Sequence, residues 1–467
     1  MPQRQHHMSF IKTILEAIKG TETDYTKGNI NRAIVLLSVP MIIEMLGEGL
    51  FAIVDAYFVS QVSNEAFATV ILTETVSTIV YSLAIGVSIA ASAMVARRIG
   101  EKKKLEASIA AAQAITIAVV LSIIISLVSV FFADDILRLM GASDKVIEQR
   151  VNYTRILLGF NIVIMLLFIL IGIFRGAGDA SMAMRSLWIA NIINIVLDPL
   201  LIFGYGPFPA YGVVGAAIAT TIGRGTAVLF QLYILFNGRR IIQLTKAHFQ
   251  PKIEILKKII DVAITGTGQH IISSASWIFL MTIIAAYGTD AVNGYGLAIR
   301  IIIFTILPAW GISNAAATLM GQNLGAKQPD RAEQSVWLAA KYNALFLLLV
   351  SIGYYVWAEP LIRLFNNDAE VVAVGVESLR IFSIGYLAYG VAMVINQAFS
   401  GAGDTRTPTV INFITFWLMQ IPLAYALSNH FEWGPKGVYW AVVVSESIMA
   451  LICIYWFKRG SWKLVEI

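Results

Sequence analysis

The chain has 467 residues, 58% hydrophobic and only 13% charged, with a mean hydropathy of +0.74 and a net charge of +5. A soluble protein of this length would carry about 25% charged residues, so too little polar surface remains to cover several soluble domains. The single cysteine, Cys453, excludes a disulfide scaffold and a cysteine-based metal site. No basic stripe interleaved with aromatics appears, so nucleic acid is not an expected partner. What is left is a polytopic membrane protein. At about 20 residues per span plus short loops, the length holds about twelve helices.

Residues 1–32 form a polar, charged segment without the apolar core of a secretory signal. Within it, Phe10, Ile11, Ile14, Leu15 and Ile18 recur at helical spacing, which predicts a short amphipathic helix lying on the membrane surface. His6 and His7 carry no inference. Apolar runs then follow near 33–60, 69–96, 107–132, 152–173, 182–204 and 212–236. A second set lies near 259–287, 294–320, 333–357, 374–399, 407–428 and 436–457. Each is long enough to cross about 30 Å of hydrocarbon as a helix, and no barrel alternation appears. The fold class is therefore all-α with twelve transmembrane helices.

Lysine and arginine set the orientation. The N-terminal segment, the loop after span 2 (Arg97, Arg98, Lys102, Lys103, Lys104), the other even-numbered loops and the tail 458–467 together hold 23 of the 34. The opposite side holds 5: Arg138, Lys145, Arg150, Arg363 and Lys436. The positive-inside rule then puts both termini in the cytoplasm.

The chain is internally duplicated. FRGAGD (Phe174 to Asp179) recurs as FSGAGD (Phe399 to Asp404), an offset of 225. AMVARRIGEKK after span 2 is matched by TLMGQNLGAKQ after span 8. Six spans per half is even, so the repeats are parallel, related by a pseudo-two-fold axis along the membrane normal. The units are an N-lobe over 33–236, a basic cytoplasmic linker over 237–258 and a C-lobe over 259–457. Transporters built from such repeats bind substrate near the repeat interface.

Ionisable groups inside spans cost about 2.5–3.5 kcal/mol at the centre on insertion scales, so they mark the chemistry. In NIINIVLDP, Asn194 and Asp198 are four apart and share a face. Asp55 stands in FAIVDAYFV on span 1, and Thr220 in GVVGAAIAT on span 6. At about 1.5 Å per residue these groups reach similar depths, about 8, 9 and 12 Å below the outer ends of their spans. Two carboxylates, an amide oxygen and a hydroxyl suit a hard cation, and two acids close together suit proton coupling. Na⁺ and H⁺ both stay open. Glu44 and Glu48, also four apart on span 1, could line a pathway or bond to a neighbouring helix. Gln269, His270, Met281, Asn314 and Asn396 are further candidates for a broad apolar cavity. Aligning the repeats sets Met281 opposite Asp55 and no acid opposite Asp198, so cation coupling is expected in the first half only. Arg155, Arg224, Arg300, Glu74, Lys341 and Glu446 are expected to pair or to reach for the interface. Asp134 and Asp135 look like half of a prenyltransferase motif whose second half is missing. No P-loop is present. An enzyme is not expected.

With the twelve spans in two parallel halves, Asp55 in FAIVDAYFV, RGAGD, NIVLDP and GVVGAAIAT resemble the multidrug and toxic compound extrusion (MATE) transporters, over about residues 30–458. The resemblance implies a cation-coupled antiporter that exports amphipathic, often cationic compounds by alternating access. It implies a prokaryotic inner membrane, membrane lipids and small molecules as partners, a monomer, and no cofactor beyond the coupling ion. Within the branch carrying its cation site in the N-terminal half, the matching positions are Asp55, Asn194, Asp198 and Thr220. The chain departs from the branch with acids on spans 7 and 10, since span 7 has none and span 10 only Glu377. The alternatives are a lipid-linked glycan flippase of the wider superfamily, or an integral-membrane enzyme.

Overall fold

The computed structural model describes residues 10–20, 23–141, 144–238 and 240–467. Arg4, His6, His7 and Arg239 lie outside them. Among the described residues there is no strand, and twelve helices are long and apolar enough to cross a membrane. They are α1 (Ile30–Ser60), α2 (Asn64–Gly100), α3 (Lys104–Phe131), α4 (Asp144–Gly159 continued by Ile162–Gly176), α5 (Ala180–Phe203) and α6 (Val213–Phe236). The second set is α7 (Ile253–Ala285), α8 (Thr289–Gly325), α9 (Pro329–Arg363), α10 (Ala369–Ala402), α11 (Arg406–His430) and α12 (Pro435–Arg459). A shorter helix, Phe10–Lys19, precedes them. It turns Thr13 and Ala17 inward and leaves Phe10, Ile11 and Leu15 exposed.

Three spans depart from a regular helix, α9 by a kink at Trp357 (φ −108°, ψ 20°). α4 is interrupted at Phe160 and Asn161. The interruption is stable because buried Asn161 donates through Nδ2 to Leu158 O (2.7 Å), Ser126 Oγ (2.8 Å) and Ser122 O (3.3 Å). Ser126 in turn donates to Gly159 O at 2.6 Å, so carbonyls freed in apolar surroundings find partners. In α11, π-helical turns over Phe413–Gln420 and Ala426–His430 flank Pro422. Proline lacks the N–H that a regular turn needs there, and a wider turn absorbs the fault.

The duplicated motifs adopt duplicated turns. Gly178 and Gly403 have φ of 84° and 89°, and Lys102 and Lys327 have φ of 63° and 58°. Asp179 N donates to Phe174 O at 2.8 Å, and Asp404 N to Phe399 O at 2.9 Å. Each aspartate then ties down the start of the next helix. Ser181 Oγ donates to Asp179 at 3.1 Å, and Thr407 N to Asp404 at 3.0 Å.

Lipid offers no hydrophobic gain for bringing helices together, so close packing falls to small residues. The stretch GVSIAASAM on α2 does this. A methyl at Gly86 would come within 2.5 Å of Ala263 O on α7, and one at Gly172 on α4 within 2.6 Å of Ser88 O. At the face bearing residues 30 and 459 the two halves meet directly. Gln322 Nε2 donates to Gly176 O at 3.0 Å, and Thr318 Oγ1 to Arg175 O at 3.2 Å. The same face is strapped from outside the spans. Arg331 donates to Tyr25 O (3.2 Å), Lys27 O (3.0 Å) and Gly28 O (3.0 Å), and Arg98 to Ile467 O (2.7 Å).

Candidate cation site

α5 carries Asn191, Asn194 and Asp198 along one face, and its neighbours approach closely enough to use them. Trp188 Nε1 donates to Ile43 O of α1 at 3.2 Å, and Asn191 Nδ2 to Gly47 O at 2.8 Å. On the other side, a methyl at Gly215 would sit 2.4 Å from Leu201 O, and one at Gly223 2.7 Å from Ala190 O. These two bare glycines let α6 lie against the α5 backbone.

That approach brings three of the predicted residues into contact. Asn194 Nδ2 donates to Asp198 Oδ1 at 3.2 Å and to Thr220 Oγ1 at 3.4 Å. Asn194 and Asp198 are fully buried, Thr220 is 7% exposed, and Asp55 on α1 is 8% exposed. Asp55 is carried by α1, which Asn191 of α5 holds through Gly47 O. Three buried oxygens have no donor among the described residues: Asp55 Oδ1, Asn194 Oδ1 and Asp198 Oδ2. Unpaired acceptors in a membrane interior are costly. Asn194 lies beside the Thr220 hydroxyl, and the oxygens together make a donor set suited to a hard cation or to a proton.

The two glutamates of α1 are each tied to a different helix. Glu44, 1% exposed, meets Arg175 of α4 at 2.6 Å. Glu48 meets Arg224 of α6 at 3.3 Å. The Arg224 guanidinium also lies 4.7 Å from the centre of the Phe51 ring. Of the other in-span charges, Arg155 pairs with Asp134 at 2.8 Å. Arg175 was missed as a site residue, because the repeat motif accounts for it in sequence. The available signal was an arginine at a span end with an acid at matching depth on α1.

The second-half candidates do not assemble. His270 Nδ1 lies 3.0 Å from Ser82 Oγ, which also lies 2.7 Å from Thr78 O. Gln269 Oε1 is buried without a partner. Met281 packs against the aromatic core of its own half. Asn396 faces α12, next to Met449 and Cys453. Asn314 lines a cavity of about 50 Å³ between the halves, together with Ser88, Arg175, Gln397 and Ser400.

Outside the spans, Asp179 between α4 and α5 is pushed above the usual carboxylate range by burial, against the pull of Arg240 at 3.2 Å. For Asp24, burial pushes the carboxyl up. Hydrogen bonds from Lys102 and Thr26 outweigh it and hold the group at about 2.

A family model described as MatE matches residues 40–200 and 268–426, one segment in each half and most of the chain. The chain is a member of the MatE family. Among its MatE relatives is a protein of Shewanella oneidensis named FAD transporter, 27% identical over 92% of this chain and 95% of that one. Another, of Thermotoga maritima, is named probable multidrug resistance protein NorM, 25% identical over 93% of both chains. Among solved structures, an outward-facing multidrug resistance MATE transporter matches with a TM-score of 0.89 and 28% identity, over 95% of this chain and 99% of that one. This MatE chain is thus a multi-pass membrane transporter and not an enzyme.

Proposed function

We propose that the chain is a cation-coupled antiporter that exports amphipathic, often cationic compounds across the plasma membrane of a prokaryote, as a monomer with both termini cytoplasmic. The observation that carries the reading is the set of three partnerless buried oxygens on Asp55, Asn194 and Asp198, with Thr220 beside Asn194. Na⁺ or H⁺ entering there neutralises the acids. Its release to the other side is coupled to substrate movement through the same two-state rocking of lobes. The multidrug names of relatives support the substrate class.

The test is efflux of ethidium or norfloxacin from reconstituted vesicles under an imposed Na⁺ or H⁺ gradient. Gradient-driven efflux is expected, and efflux indifferent to both gradients contradicts the reading. A second reading, export of an anionic dinucleotide, is favoured by the name of the Shewanella relative and by Arg175 at the interlobe cavity. Competition by FAD, but not by norfloxacin, would select it.

A further inference from the structure

A groove of about 690 Å³ lies in the second lobe, between α9, α10 and α12, at the face opposite the chain ends. Five charged residues line it: Glu359, Arg363, Glu377, Arg380 and Lys436. Four of them neutralise each other, Arg363 with Glu359 at 2.8 Å and Lys436 with Glu377 at 2.6 Å. Arg380 is exposed and has no carboxylate within 4 Å among the described residues. Its Nε donates to Tyr355 O at 3.3 Å, and its guanidinium carbon lies 5.8 Å from the Tyr355 ring centre. A guanidinium has five N–H donors, so four remain to be used.

Depth identifies what meets them. α10 has 34 residues and is about 51 Å long, against about 30 Å of hydrocarbon, so its first turns stand in the headgroup layer. Arg380 is the last charged residue on that helix. One and two turns deeper, Ile384 and Leu387 are exposed and apolar. Tyr355 and Trp357, each about 60% exposed, stand at the end of α9 as an interfacial aromatic belt does. The groove therefore opens where headgroups meet acyl chains. Its lining carries three cations and two acids, which disfavours a cationic compound.

We infer that this groove holds an anionic glycerophospholipid of the adjacent leaflet. Its phosphodiester sits on the Arg380 fork, and one acyl chain lies over Ile381, Ile384 and Trp440. A planar guanidinium matches two phosphate oxygens at once, and a lipid such as phosphatidylglycerol brings no ammonium to compete with Arg363 and Lys436. The groove shares no residue with the candidate cation site, so its test reads lipid binding apart from ion coupling.

The test is native mass spectrometry of the purified protein titrated with phosphatidylglycerol. One bound lipid should be lost in Arg380→Gln, with affinity at least about tenfold weaker, as expected for losing a charge-assisted contact. Arg380→Lys should fall between, having charge without the fork. Arg138→Gln, on the same face of the first lobe, should bind as the parent does. Equal binding by Arg380→Gln, equal loss in Arg138→Gln, or displacement by inorganic phosphate or ethidium would each overturn the assignment. The last two would indicate a free-phosphate site or a drug subsite.

Discussion

Arg224 in the first lobe and Glu446 in the second each stand twelve residues past a glycine, Gly212 and Gly434. Those glycines start α6 and α12 with nearly the same φ, 57° and 61°. Arg224 answers Glu48 across to α1, and Asp55 lies within its electrostatic reach. Glu446 is buried, forms no ion pair among the described residues, and acts on the hydroxyls of Tyr295, Tyr386 and Tyr389. The backbone of the repeat has been kept while its side-chain chemistry has diverged. In the first lobe, α1 is bound to α4, α5 and α6 by ion pairs and amide bonds. In the second, stacked rings such as Tyr295 on Tyr439, 5.9 Å apart, join α8 to α12. On the proposed function, the first lobe exchanges charge and the second holds a shape.

The sharpest way to break this contrast is to remove its acids. Asp198→Asn should abolish gradient-driven efflux while the protein still inserts and runs as a single species. Retained efflux would sink the coupling role. Next comes Glu44→Gln, which leaves Arg175 without its anion. Loss of one partner of a buried pair costs about 3–5 kcal/mol, and because Arg175 keeps some exposure we place the loss near about 3, read by thermal unfolding in detergent. No shift would mean that the pair contributes nothing. A milder lever is Gly223→Ala. Its methyl must push α6 away from Ala190 O, at about 1–3 kcal/mol, and should weaken coupling by parting Thr220 from Asn194. Unchanged stability and coupling would show that the approach of α6 does not matter.

The smallest effect belongs to Asp24, which meets Lys102 at 2.8 Å and is partly solvated. Asp24→Asn should cost below about 1 kcal/mol at neutral pH. Because the folded carboxyl sits at about 2, below its ordinary 3.8, this contribution is complete above about pH 4. It fades as pH falls toward 2. A difference from the parent that persists undiminished well below pH 2 would contradict the ion-pair origin.

The spans and the duplication were legible because hydrocarbon imposes length and apolarity, and because motifs such as FRGAGD carry their own turn geometry. The grouping of Asn194, Asp198 and Thr220 was legible from helical spacing and depth. The break in α4 was not, since Asn161 in an apolar run looks like any polar interruption until Ser122 and Ser126 of another helix are placed beside it. The same holds for the partners of Glu44 and Glu48. Spacing along one helix tells which side chains share a face, but not which helix that face meets. The π turns of α11 depend on how the chain accommodates Pro422, which its hydropathy does not record.

The central claim is that charge exchange resides in the first lobe. It is tested most directly by recording ion flux into vesicles when substrate is added, for the parent, Asp198→Asn and Glu446→Gln side by side. We expect substrate-dependent Na⁺ or H⁺ flux in the parent and in Glu446→Gln, and none in Asp198→Asn. Flux that survives in Asp198→Asn and disappears in Glu446→Gln would assign coupling to the other lobe and contradict the account.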